Sequence, residues 1–146
     1  MNKNLFEYTL RLGDTSLILS QRLGEWCGHG PVLEEDIALT NIALDLLGQA
    51  KAFLAYAGEI EGKGRSEDSL AFHRDANQFR NMLLTEQPNV DFGCTIVRQL
   101  FVSAWQHYLY SELTQSTDKN ISALAVKSLK EVNYHLRYAS DWTMRL

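Results

Sequence analysis

Five polar side chains recur at helical spacing, and they are the residues of this sequence best suited to chemistry. Asn41, Asp45 and Gln49 follow one another every four residues through an otherwise apolar stretch, and Glu131 and His135 repeat that spacing. Residues four apart share a helix face, so a carboxylate and an imidazole would point the same way. Such a face forms a degenerate metal site or a buried hydrogen-bond network, because buried polar groups need partners. We favour the network and keep the metal site as the alternative.

A di-iron centre in a helical bundle needs more ligands than these residues supply. It takes a glutamate from each of two helices and a Glu-x-x-His motif from each of the other two. The residues three positions before the four histidines are Trp26, Leu70, Ala104 and Val132, and none is an acid. The motif is therefore absent, and the sequence predicts no catalytic residue and no metal ligand in this chain.

Counting residues away from the predicted turns points to the same conclusion. Asp45 would lie level with about residues 16–19 of the preceding helix, and Glu131 level with about residues 103–105 of its neighbour. Neither stretch contains a carboxylate, so two of the four ligand positions are predicted to be empty. Glu25 and His29 also stand four apart, but they straddle a helix end, which favours capping over ligation.

Long helices must position these residues. Apolar residues at three- and four-residue steps predict helices over about 5–27, 34–57, 90–115 and 121–146, with a shorter one over about 67–84. Four long helices with a bridging helix between the second and third are typical of an all-α, ferritin-like four-helix bundle with one long crossover. We expect residues 1–146 to form a single domain, and since the last helix lacks a stop signal we expect it to be cut short.

The composition excludes several classes of protein. A formal charge of −4 over 146 residues argues against a nucleic-acid binder, which needs a basic face. The sequence has neither an apolar signal core nor about 18 consecutive apolar residues that could span a bilayer. Cys27 and Cys94 lack metal-ligand spacing and are interpreted as reduced thiols. We expect a soluble, cytoplasmic protein without a nucleic-acid or membrane partner.

The helix over 90–115 carries a candidate partner interface. Phe101, Trp105 and Tyr108 share one face by their spacing, and we expect that face to pack into the bundle. His107 and Tyr110 lie on roughly the opposite side, which leaves them for solvent or for contact with another protein. The alternative is that the bridging helix or an absent C-terminal part of the chain covers this side. Aromatic residues are enriched at such interfaces because they bury much area with few rotamers to lose.

Five stretches of the sequence resemble the structural C subunits of bacterial phenylacetyl-CoA epoxidases. They are residues 23–31, 34–39, 42–50, 87–92 and 130–137. The resemblance implies a ferritin-like subunit without an iron site, which pairs with a catalytic di-iron subunit of similar fold and with other epoxidase subunits. It also implies a reductase that carries FAD and an iron–sulfur cluster and draws electrons from NADPH.

The reaction implied by the resemblance inserts one oxygen atom from O₂ into the ring of phenylacetyl-CoA during aerobic phenylacetate breakdown. Members of the family continue beyond the point where this chain stops, so we expect a C-terminally truncated or short form. Two other functions stay open. One is a ferritin-like di-metal oxidoreductase or iron-binding protein that uses Asp45, Glu131 and His135, and the other is an unrelated helical adaptor. The stoichiometry and any self-association are left open.

Overall fold

The computed structural model describes all residues 1–146 and is entirely helical. The helices are α1 (Lys3–Gly24), α2 (Leu33–Glu61), α3 (Glu67–Phe72), α4 (Phe92–Leu113) and α5 (Lys119–Arg145). Four are long and α3 is short, which confirms the predicted all-α, ferritin-like class. The long helices end within about three residues of their predicted limits, apart from the end of α2.

Side-chain caps explain where three of the long helices begin. Asn2, Asp91 and Asp118 each accept a hydrogen bond from the backbone amide three residues further on, which satisfies a donor that the helix itself leaves free. At the start of α2, the carboxylate of Asp36 accepts hydrogen bonds from the amides of Gly28 and Gly30 at 2.9 and 3.3 Å. This acid therefore holds the turn between α1 and α2.

The second helix continues one turn past the predicted stop near Gly58. It ends at Gly62, whose φ of 71° is the left-handed conformation of a helix C-cap. Gly58 lies inside the helix and does not end it. A glycine is needed at this position because the carbonyl group of Arg65 approaches too closely for a Cβ atom. The ion pair between Arg65 and the buried Glu61, at 2.5 Å, fastens the following loop against this last turn.

The crossover from α2 to α4 is less helical than predicted. Instead of one helix over 67–84, it contains the six-residue α3 and two 3₁₀ turns, Ala76–Gln78 and Leu83–Glu86. The reason is a tertiary contact, because Arg74 leaves the helical path to reach Asp14 on α1. Its two terminal nitrogens lie 2.5 and 3.0 Å from the carboxylate oxygens of Asp14.

The Asp14–Arg74 ion pair is buried on both sides. The side chains keep only 0% and 3% of their accessible surface, and the backbone amide of Arg80 donates a further hydrogen bond to Asp14 at 2.8 Å. The guanidinium also lies 4.2 Å from the ring centre of Phe79. The crossover thereby wraps α1, and every residue from Leu12 to Leu17 is buried.

The bundle consists of two helical hairpins packed together. α1 pairs with α2, α4 pairs with α5, and α2 also packs on α5, so α2 and α4 stand at opposite corners. The rings of Phe53 and Tyr110 stack across the middle with centroids 5.9 Å apart. This core holds Asp45 and Gln49 on α2 opposite Glu131 and His135 on α5.

One helix, α2, is long and apolar enough to cross a membrane by length and composition alone. Core helices of bundles pass the same test, and the inner face of α2 is buried against α1 and α5. Only 39% of its most apolar 18-residue window is buried, however. The outer face of α2 is therefore also apolar.

Candidate functional site

The polar residues predicted to cluster do meet, in four cases out of five, between α2 and α5. The Nε2 atom of His135 lies 2.8 Å from Oδ2 of Asp45, and Nε2 of Gln49 donates to Oε1 of Glu131 at 3.4 Å. The carboxyl group of Asp45 also lies near that of Glu131 and helps to raise its pKa. We call these four side chains the α2–α5 polar cluster.

The fifth predicted member, Asn41, is exposed and belongs to no part of this cluster. Four residues advance an α-helix by slightly more than one turn, so side chains at every fourth position drift around the axis. From Gln49, two such steps back rotate Asn41 out to solvent, whereas Asp45 stays at the edge of the interface. The prediction that Asn41 joins the polar core is wrong.

Burial shifts the pKa values of two members of the cluster in opposite directions. Burial, followed by the nearby carboxyl group of Asp45, raises the pKa of Glu131. Burial lowers the pKa of His135 although Asp45 opposes this, so the neutral form of the ring is favoured. A neutral ring with its proton on Nε2 donates to Asp45.

Several polar atoms in the interior lack a partner among the protein's own groups. Nδ1 of His135 and Oε1 of Gln49 are buried without a hydrogen bond. The same holds for Oγ of Ser16 on α1 and for both amide atoms of Gln106 on α4. Buried polar groups of this kind are commonly satisfied by ordered water. The middle of the bundle is therefore polar on all four long helices.

This interior does not fit a di-iron centre. The buried charged residues of α1 and α4, Asp14 and Arg98, bind the crossover. The other buried polar side chains of these helices are neutral, among them Ser16, Gln99, Ser103 and Gln106. Nowhere in the chain do three or more His, Cys, Asp or Glu side chains form a group able to hold a metal ion.

Two contacts between α4 and α5 bracket the level of Glu131. The hydroxyl group of Ser122 donates to the carbonyl group of Thr114 at 2.7 Å, and Nδ1 of His107 lies 2.7 Å from Oδ1 of Asn133. In the antiparallel pair these contacts place Glu131 level with about residues 105–109, next to the predicted 103–105. No carboxylate of α4 lies in that stretch, so the ligand position opposite Glu131 is empty of acids.

The two faces of α4 were predicted the wrong way round. Tyr110 keeps 1% of its accessible surface and packs inside the bundle, where burial raises its pKa. Phe101, Trp105 and Tyr108, which were expected in the core, are 59%, 40% and 72% exposed. Tyr110 therefore cannot contact a partner, and His107 is half-buried and occupied by Asn133. We call the three exposed side chains the α4 aromatic face.

The Glu25–His29 pair has no capping contact between its two side chains. Glu25 pairs with Arg22 at 2.8 Å and accepts a hydrogen bond from the side-chain amide of Asn89 at 3.1 Å. It therefore ties the end of α1 to the crossover.

The side chains that anchor the crossover were not predicted from the sequence. Asp14 is one example, and Arg98 is another, since its guanidinium is buried and donates to Gln87 and Asn89. The only sequence signal was a charged residue within an apolar run such as Leu12–Leu19.

The pH dependence of the free energy of unfolding should report the raised pKa of Glu131. A raised pKa in the folded state means that the contribution of Glu131 is complete below its unfolded pKa and is lost as pH rises through the folded one. The other polar or charged groups that face it are Asp45 and Gln49 on α2, Tyr110 on α4 and Lys127 on its own helix. The Glu131→Gln side chain keeps a hydrogen-bond donor but cannot ionise. We therefore expect the free energy of unfolding of this variant to increase relative to that of wild type as the pH rises above the pKa of Glu131 in the unfolded state. Urea unfolding at a series of pH values measures this, and a constant difference between the two proteins would contradict it.

The fold and the cluster together define a ferritin-like helical bundle whose centre lacks the ligand set of a di-iron site. The sequence model of the family described as phenylacetic acid catabolic protein matches residues 1–146, and the chain belongs to that family. Over 142 residues it is 57% identical to the C subunit of the 1,2-phenylacetyl-CoA epoxidase of Escherichia coli (strain K12). That alignment covers 97% of this chain and 57% of the relative, so the chain spans little more than half the length of the curated relative that it matches. The resemblance noted in the sequence is confirmed.

Proposed function

We propose that this chain is a non-catalytic structural subunit of a multicomponent epoxidase that acts on the ring of phenylacetyl-CoA. Its role is to stabilise and position a catalytic di-iron subunit of similar fold. The observation that carries the proposal is that the buried polar side chains of α1 and α4, apart from Asp14 and Arg98 that bind the crossover, are neutral, with Ser16 and Gln106 instead of carboxylates. Family membership and the similarity to an epoxidase subunit supply the reaction and the setting.

The proposal places the redox chemistry in other components. The di-iron centre belongs to the partner subunit, and FAD and the iron–sulfur cluster belong to the reductase, while this chain binds none of them. The setting is aerobic phenylacetate breakdown in the cytoplasm, and Cys27 and Cys94 are unpaired thiols. Residues 1–146 would act there as one helical domain.

A second function has one observation in its favour. Asp45, Glu131 and His135 do come together, as a ferritin-like di-metal oxidoreductase or iron-binding protein would require. The neutral side chains of Ser16 on α1 and Gln106 on α4 count against this alternative. Iron binding separates the two functions.

We expect the purified chain to retain no stoichiometric iron. It would be loaded with ferrous iron without oxygen, desalted and analysed by elemental mass spectrometry, with a di-iron oxygenase subunit as the positive control. Iron in an integral ratio to protein, lost in the Asp45→Asn variant, would overturn the structural role and support the alternative.

The α4 aromatic face is the proposed contact with the catalytic subunit. Large apolar side chains exposed together mark interaction sites in soluble proteins, and the similar protein of known function is one subunit of several.

Phe101→Lys should therefore weaken binding to the catalytic subunit about tenfold or more. Pull-down and surface plasmon resonance measure the affinity. Val126→Lys on α5, also an exposed apolar position, is the matched control and should bind normally. Equal affinities for both variants would remove α4 from the interface.

A further inference from the structure

The outer face of α2 is apolar, and within the chain only α3 borders it, at the end that carries Leu47 and Lys51. Leu33, Ile37, Leu44 and Leu47 lie along it and are between 47% and 71% exposed. They are spaced by four, seven and three residues, which keeps them on one side of the helix. A heptad-like spacing of apolar residues is the pattern by which one helix packs along another.

Gly48 lies near the far end of this face, next to Leu47, for no reason that the chain itself provides. Glycine is less favourable than alanine inside a helix, and a Cβ atom at Gly48 would meet nothing within 4 Å. Gly13 on α1 is the contrast, because a Cβ there would come within 2.8 Å of the Leu54 side chain. The space above Gly48 is open to a side chain from another molecule.

The charges at the two ends of the face complement each other. Glu34 near the start and Lys51 near the far end are both exposed, and neither belongs to an ion pair within the chain. Their midpoint along α2 falls between residues 42 and 43, and the midpoint of Ile37 and Gly48 falls at the same place.

A two-fold axis at this common midpoint would bring together the members of both pairs, Glu34 with Lys51 and Ile37 with Gly48. If a second α2 packs antiparallel about a two-fold axis at residues 42–43, Lys51 of each copy lies opposite Glu34 of the other. The same register places Ile37 of each copy over Gly48 of the other, so a bulky side chain meets an open position. Two-fold contacts require this self-complementarity, in which residue i meets j and j meets i.

We propose that the outer face of α2 is a two-fold contact between two copies of this chain, packed antiparallel. The α4 aromatic face stands at the opposite corner of the bundle, so a dimer formed through α2 leaves it free. Each copy in the dimer can then bind its own catalytic subunit. The contact does not depend on the proposed epoxidase role.

Sedimentation equilibrium of the chain alone tests the contact. The wild-type chain should dimerise, and Gly48→Gln should weaken the dimer about tenfold or more, since its side chain fills the space that Ile37 of the other copy needs. The variant should keep its thermal stability because that space is empty within one chain. Phe101→Lys is the control and should dimerise like wild type, which separates this contact from the proposed α4 contact. A monomer at the highest soluble concentration, or a dimer unchanged by Gly48→Gln, would overturn the proposal.

A charge exchange tests the antiparallel register. Lys51→Glu should weaken the dimer, and the double variant Glu34→Lys/Lys51→Glu should restore it, because each exchanged charge again meets its opposite. Failure of the double variant to recover would contradict the register. If added catalytic subunit dissolves the wild-type dimer and also fails to bind Gly48→Gln, the face belongs to that subunit and the proposal is wrong.

Discussion

Asp14→Ala is expected to lower the free energy of unfolding by about 3–5 kcal/mol, since removing one member of a buried ion pair leaves the other charge without compensation. Arg74 would remain in an interior position, where its side chain keeps only 3% of its accessible surface. The backbone amide of Arg80 would lose its acceptor as well. Urea unfolding followed by circular dichroism measures the loss.

An exposed ion pair provides the control for this experiment. Arg80 and Glu7 approach within 3.4 Å, but their side chains are 40% and 35% exposed, and such surface pairs contribute about 0–1 kcal/mol. Glu7→Ala should therefore change stability little. The double variant Asp14→Ala/Arg74→Met should recover part of the loss because it removes both charges. A small effect of Asp14→Ala, similar to that of Glu7→Ala, would mean that the crossover does not depend on this pair.

Asp45→Ala is expected to destabilise the protein by about 1–3 kcal/mol, the usual cost of leaving buried polar groups without partners. Nε2 of His135 would lose its acceptor at 2.8 Å. His135 cannot turn to water, because it keeps none of its accessible surface. Thermal and urea unfolding measure the effect.

Asn41→Ala, one turn earlier on the same helix, is the matched control. Asn41 is exposed, so the free energy of unfolding of Asn41→Ala should lie within about 0.5 kcal/mol of the wild-type value, as for most surface substitutions. An Asp45→Ala protein of normal stability that no longer supports the assembled oxygenase would contradict the structural role of this carboxylate. Asp45 would then have a role in function.

The helices and their class could be predicted because local signals specify them. Apolar spacing placed the four long helices, and the sequence around residues 28–31 and 87–89 placed two of the breaks between them. The spacing of Asp45 with Gln49 and of Glu131 with His135 also predicted which residues face each other. These features depend on residues near one another in sequence, where periodicity carries the information.

The orientation of α4 could not be predicted in the same way. Periodicity identifies the buried side of a helix only when the other side is polar, and α4 carries apolar or aromatic residues around most of its circumference. Phe101 and Tyr110 were therefore equally suited to the core. The structure places Tyr110 against Phe53 and leaves the three residues of the α4 aromatic face exposed.

The crossover could not be predicted because its contacts are distant in sequence. Asp14 and Arg74 are 60 residues apart, and no local pattern connects them. Their ion pair interrupts a segment whose own residues favour a longer helix. Tertiary contacts commonly override local propensity in this way.

The enclosure of α1 determines how the chain tolerates substitution. Because every residue from Leu12 to Leu17 is buried, this stretch has no outward side on which a larger or charged residue could stand. Substitutions should be disfavoured at all six consecutive positions of this stretch. An ordinary surface helix instead tolerates substitution at exposed positions that recur every three to four residues. On α5, exposed Lys130 and Arg137 alternate with buried Val132 and His135. There, tolerance to substitution should follow the three- to four-residue periodicity of the helix. Sequence variation within the family should thus be narrowest where the crossover wraps the first helix.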